Sequence, residues 1–87
     1  MAQVTAIAST TTATTLAAQG QRRGVSISNS DANALYVLVG PGTASSSNFT
    51  VQLDQGDYWE TPVFYNDEVI SGVWADDGDG SAHVTEY

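Results

Sequence analysis

The clearest two-residue period lies in "RRGVSISNS", where Val25 and Ile27 alternate with Ser26 and Ser28. One apolar face and one polar face predict a strand. "NSDAN" follows as a turn. In "ALYVLVG", residues 34–40, Leu35, Val37 and Val39 point one way and Tyr36 and Leu38 the other. A strand apolar on both faces is a central one, or one whose outer face meets another subunit. "GPG" ends it. "FTVQL" sets Phe49, Val51 and Leu53 against Thr50 and Gln52; "DQGD" reads as a tight turn and "YWE" as the returning strand. "VISGVWA", residues 69–75, is a further strand, with Gly72 marking a bulge or a close backbone approach. "DDGDGS" reads as a hairpin connection and "AHVTEY" as the last strand. No segment keeps a 3.6-residue period between caps.

Residues 5–18, "TAIASTTTATTLAA", show no strong period. Threonine favours extended backbone and alanine packs little. We read residues 1–18 as an extended arm, with a strand near Thr11–Ala17 and a frayed stretch over residues 1–8. An arm of this kind adds to a neighbour's sheet edge. Residues 19–87 then form the folded unit. Short strands at regular spacing predict an all-β, small single-domain antiparallel β-sandwich or barrel. Trp74 and Phe49 are the expected aromatic core.

Size and composition narrow this further. A chain of 87 residues buries only about 60–65% of its unfolded surface and gains from oligomerisation or a bound ion. It has no cysteine and one histidine, which excludes disulfides, thiolate zinc sites and a multi-histidine site within one chain. The net charge is −8, with 2 basic against 10 acidic residues. Residues 1–30 hold Arg22, Arg23 and no acid; residues 31–87 hold all the acids. That balance argues against nucleic acid or an anionic membrane as partner. No apolar run approaches the ~18 residues of a membrane span, and no basic segment precedes an apolar one. The expectation is a soluble chain made in the cytoplasm.

Candidate chemistry is sparse. Without lysine there is no P-loop, and no G-x-S-x-G occurs. His83 lies in a strand pattern whose local geometry offers no nucleophile–base pair. No enzyme and no cofactor are expected. Asp76, Asp77 and Asp79 supply three oxygen ligands for calcium, but "DDGDG" lacks the EF-hand order and is also ordinary turn chemistry. The interface pool is Leu16, Arg22, Arg23, Leu35, Tyr36, Leu38, Tyr58, Trp59 and Tyr65, on the ground that aromatics and arginines are enriched at interfaces.

The series "RRGVSISN", "ALYVLVG", "SSSNFTVQLDQGDYWETP", "VISGVWA" and "GSAHVTEY" resembles small β-structured virion proteins of tailed bacteriophages. The likeness covers roughly residues 20–87; the Thr/Ala-rich segment lies outside it. It implies turn positions at Gly56 and Pro62 and a last hairpin that includes Gly72, Trp74, Gly80 and Ser81. It implies a structural role in the particle: a capsid decoration (cement) protein, or a head-fibre or tail module. The partners it implies are the major capsid protein and further copies of the chain, a homotrimer on the outer surface of the virion. A carbohydrate- or receptor-binding module of a fibre or tail is the alternative, with Tyr58 and Trp59 beside Asp57 and Glu60 stacking on sugar.

Overall fold

The computed structural model describes residues 3–20, 22–61 and 68–87. Among these residues eight strands and no helix occur: β1 (Gln3–Ala8), β2 (Thr14–Ala17), β3 (Val25–Asn29), β4 (Leu35–Val39), β5 (Val51–Leu53), β6 (Tyr58–Glu60), β7 (Ile70–Trp74) and β8 (Ser81–Glu86). They form two four-stranded antiparallel sheets, in the orders β1-β8-β3-β6 and β2-β7-β4-β5. The architecture is a β-sandwich.

Comparing the two strand orders shows how the chain is wound. β1 lies over β2, β8 over β7, β3 over β4 and β6 over β5, and each of these pairs is consecutive in sequence. The sandwich is therefore four β-arches side by side. β4 and β5 alone are consecutive and paired within one sheet. Two expectations change accordingly. "DQGD" does not close a hairpin; it carries the chain from β5 in one sheet to β6 in the other. "DDGDGS" likewise joins β7 to β8 across the sandwich. Local sequence signals a reversal of direction but not which sheet the chain enters next, because a turn inside one sheet and an arch between two use the same Gly, Asp and Asn chemistry.

The core holds the inward positions that the alternation predicts, Val25 and Ile27 on β3, Leu35 and Val37 on β4 and Leu53 on β5, the expected Trp74 on β7, and also Ile70 on β7 and Ala82 and Val84 on β8. Leu16 and Ala17 complete it. Gly72 is a close approach without a bulge in the β4–β7 ladder. A Cβ there would lie 2.8 Å from Leu16 Cδ1 and 3.0 Å from Leu35 Cδ1. The bulge sits instead in β2, between Thr15 and Ala17.

The Thr/Ala-rich segment is extended, and both its strands join this chain's own sheets. β1 runs the length of β8, from Gln3 opposite Glu86 to Ala8 opposite Ser81. β2 pairs with β7. Residues 3–8, read as frayed, form one of the two longest strands described. Small side chains conceal such a strand from hydropathy patterning, and its pairing contributes what its side chains do not.

Candidate functional site

The four arch turns, residues 9–13, 30–34, 54–57 and 75–80, gather at one end of the sandwich. Asn29, the last residue of β3, organises this end. Its Nδ2 donates to the carbonyls of Asn33 and Leu53, both at 2.9 Å. Its Oδ1 accepts from the Asp31 N–H at 3.1 Å and from the Trp74 indole N–H at 3.1 Å. Its backbone binds the β5–β6 turn, donating to the Asp57 carbonyl and accepting from the Gly56 N–H. One buried amide thus joins three of the four arches.

Asp31 binds the β7–β8 arch a second time, and Ser9 ties the fourth arch, residues 9–13, to it through Gly78 and Gly80. Asp31 is closed to solvent, and its carboxylate accepts from the Asn33 N–H at 2.9 Å, the Asn33 Nδ2 at 3.0 Å and the Gly80 N–H at 2.8 Å. The Asn33 backbone bond, with those of Gly80 and the Asn33 side chain, holds its carboxyl below the usual range against the opposing effect of burial. The glycines of "DDGDGS" are explained by this contact. A Cβ at Gly80 would lie 2.5 Å from Asp31 Cα, and one at Gly78 would lie 2.4 Å from Asp31 Oδ1. Neither has a positive φ; both make room.

The carboxylates around this cap serve the turns. Asp76 Oδ1 accepts from the Asp77 N–H at 2.8 Å, and Asp77 Oδ1 from the Thr11 N–H at 2.9 Å. Asp57 Oδ2 accepts from the Asp54 N–H at 2.9 Å. Asp76, Asp77 and Asp79 do not converge, and among the described residues no three His, Cys, Asp or Glu side chains come together as metal ligands would.

Beside the arch end, on the outer face of the β2-β7-β4-β5 sheet, lies an open groove of about 570 Å³. Ala13, Ala44, Val73 and Trp74 contribute apolar surface, and Thr11, Tyr36, Thr43, Ser45 and Ser46 contribute hydroxyls. No charged residue lines it. Leu38, Val73 and Ala44 form a small second core under the loop after β4, with Tyr36 and Ala13 against it. Tyr36 also meets Phe49, ring centroids 5.1 Å apart and planes at 48°. Phe49 was expected in the main core; it is 39% exposed, because it precedes β5 and follows the loop across the outer face.

A second polar cluster lies on the outer face of the other sheet. Glu60 accepts from the Tyr58 hydroxyl at 2.6 Å and from the Tyr87 hydroxyl at 3.1 Å. These bonds, Tyr58 first, hold the Glu60 carboxyl down and push both phenols up. The Tyr87 ring lies over Gly24, where a Cβ would come within 2.9 Å of its hydroxyl.

The interface pool divides. Leu16 and Leu35 are core residues, since β2 and β4 turn them inward between the sheets. Leu38 is covered by Ala44 and Val73. The Arg22 side chain is also buried, with bonds to the carbonyls of Ala18, Gly20 and Glu68 and a 3.9 Å approach to Glu86 within the same chain. Trp59 is half-buried against the core, so it does not form an exposed platform with Tyr58. Arg23, Tyr36 and Tyr58 reach the surface. Tyr65 lies outside the described residues, as does Pro62. Asn29 and Asp31 were not singled out from sequence; "NSDAN" signals a turn, and nothing in it signals burial.

No family model, no curated protein and no solved structure matches this chain.

Proposed function

We propose that this chain is a non-enzymatic adhesion module of a bacteriophage particle, a capsid decoration protein that binds the outer surface of the head shell and stabilises it. The observation that supports the reading best is the outer face of the β2-β7-β4-β5 sheet. Tyr36, Phe49 and Ala13, over the buried Val73 and Ala44, present an uncharged, partly aromatic surface on a chain of net charge −8. Such a surface binds by area, at roughly 25 cal/mol per Å² of apolar surface covered, and symmetric copies multiply the effect. The arch end next to it is fixed by buried hydrogen bonds, so little order has to be gained on docking. The resemblance of residues 20–87 to small virion proteins supplies the partner class, the major capsid protein. The test is cosedimentation of the purified chain with empty head shells of the phage that encodes it. Saturable binding at a fixed copy number per shell, lost in Phe49→Asp, is the expected result. Absence of binding would overturn the reading.

The groove also favours a second reading, a carbohydrate-binding module. Among the described residues the hydroxyls of Thr11, Tyr36, Thr43 and Ser46 have no hydrogen-bond partner, and they stand beside an aromatic pair. A neutral glycan matches that chemistry. Binding to glycans together with indifference to head shells would move this reading ahead.

A further inference from the structure

Residues 1–21 contain no charged side chain, whereas all the charge of the chain, net −8, lies between residues 22 and 87. The fold places this uncharged stretch on one flank. β1 is the edge of one sheet and β2 the edge of the other, on the same side of the sandwich. The opposite flank, β5, β6 and their turn, carries Asp54, Asp57 and Glu60. A second copy approaching any charged face meets like charge. The β1 flank is where that repulsion is least.

β1 is also an unguarded edge. Edge strands are commonly blunted by lysine, proline, a bulge or shortness. β1 has six residues, "QVTAIA", in unbroken register with β8, and none of these devices. Val4 is 63% exposed. The direction of its peptide groups follows from the ladder. Ser9 donates to Gly80, and on the other side of β8 Ser30 donates to Ser81. Antiparallel bonding alternates, so Gln3, Thr5, Ile7 and Ser9 bond to β8. The N–H and C=O groups of Val4, Ala6 and Ala8 point away from the sheet, and among the described residues nothing pairs with them.

We infer that two copies associate through β1, antiparallel about a two-fold axis at Ala6, joining the β1-β8-β3-β6 sheets of both chains into one. In that register Ala6 faces its own counterpart, and Val4 faces Ala8 of the other copy. All three are residues with free peptide groups, so about six backbone hydrogen bonds form. Their side chains lie on the outer face and are small or apolar. The interface is isologous and closes at two copies, in place of the three-fold association implied by the resemblance. It does not depend on the capsid reading.

The test uses the full chain. Light scattering behind a sizing column should show a concentration-dependent shift from 9.1 kDa towards twice that mass. Ala6→Pro removes a donor that faces only the free edge, and Ala6→Lys puts a charge on the outer face at the axis; both should give a monomer with an unchanged β-sheet circular dichroism spectrum. Gln52→Lys, on the opposite flank, should leave association intact. If Ala6→Pro does not fold, Ala6→Lys decides. Amide hydrogen exchange at Val4, Ala6 and Ala8 should slow as concentration rises. A wild type that stays monomeric up to millimolar concentration, or a folded Ala6→Lys that still associates, would overturn the inference.

Discussion

The indole N–H of Trp74 donates to Oδ1 of Asn29 at 3.1 Å, between two side chains closed to solvent. The bond joins the β7 strand of one sheet to the β3 strand of the other, at the point where the arches turn. Replacing Asn29 with alanine leaves the Trp74 and Asp31 N–H groups and the Asn33 and Leu53 carbonyls without their partner. Each buried group so orphaned costs about 1–3 kcal/mol, so Asn29→Ala should lose roughly 3–5 kcal/mol in urea unfolding. Trp74→Phe removes one donor and some packing and should cost less. The pair should couple by more than ~0.5 kcal/mol in a double-mutant cycle. Additive effects would show that the bond contributes nothing of its own.

The glycines of the β5–β6 and β7–β8 arches should rank by what a methyl group would meet. At Gly80 it would strike the Asp31 backbone, which cannot move aside alone, so Gly80→Ala should cost about 2–3 kcal/mol. At Gly78 it would meet the end of the Asp31 side chain, and the cost should be smaller. At Gly56 there is open space but a φ of 84°, so Gly56→Ala should cost about 1 kcal/mol through backbone strain. Thermal unfolding of the three variants checks the order. An equal cost at Gly80 and Gly56 would contradict the packing account.

Stability should depend on pH from both sides. Asp31 and Glu60 have carboxyl pKa values held down in the folded state. Their contribution is complete above the unfolded value, about 4, and is lost as pH falls through the lower folded values. Tyr58 and Tyr87 have raised values. Their contribution is complete below the unfolded value, about 10, and is lost as pH rises through the folded ones. Urea midpoints should form a plateau between these limits. Asp31→Asn should lower the plateau and weaken the acid slope, because its amide turns a donor towards donors. Glu60→Gln should flatten the alkaline limb as well, and a wild-type alkaline limb in that variant would dissociate the tyrosines from Glu60.

These positions also mark what was legible in the sequence. Alternation at Val25/Ile27, Leu35/Val37 and Leu53 marked both the strands and their inward faces, because burial between two sheets selects every second residue. The arch connections were not legible, since "DQGD" and "DDGDGS" encode a reversal that suits a hairpin equally well. Asn29 and Asp31 were hidden for the converse reason. Polar residues in a turn are expected at the surface, and only the meeting of four distant turns buries them. β1 was hidden because Ala and Thr leave no hydropathy contrast. The aromatic groove combines Tyr36 with residues as far away as Thr11 and Val73, a neighbourhood set by strand order.

The placement of β1 and β2 changes what a truncation should do. Read as a detachable arm, residues 2–18 would be dispensable for folding. In the structure their removal takes away Leu16 and Ala17 from the core, along with Ile7, which packs against it. It also uncovers the β8 edge along six paired positions and the β7 edge opposite Thr14, Thr15 and Ala17. Losing a buried leucine alone costs about 2–5 kcal/mol, a large part of the ~5–10 kcal/mol that holds a small domain together. The truncated chain should lose its cooperative thermal transition and aggregate through the exposed edges. Removing residues 1 and 2 alone should leave the transition in place. A cooperatively folded, soluble chain lacking residues 2–18 would show that the segment is peripheral after all, and would restore the arm as a candidate for contact with a neighbour.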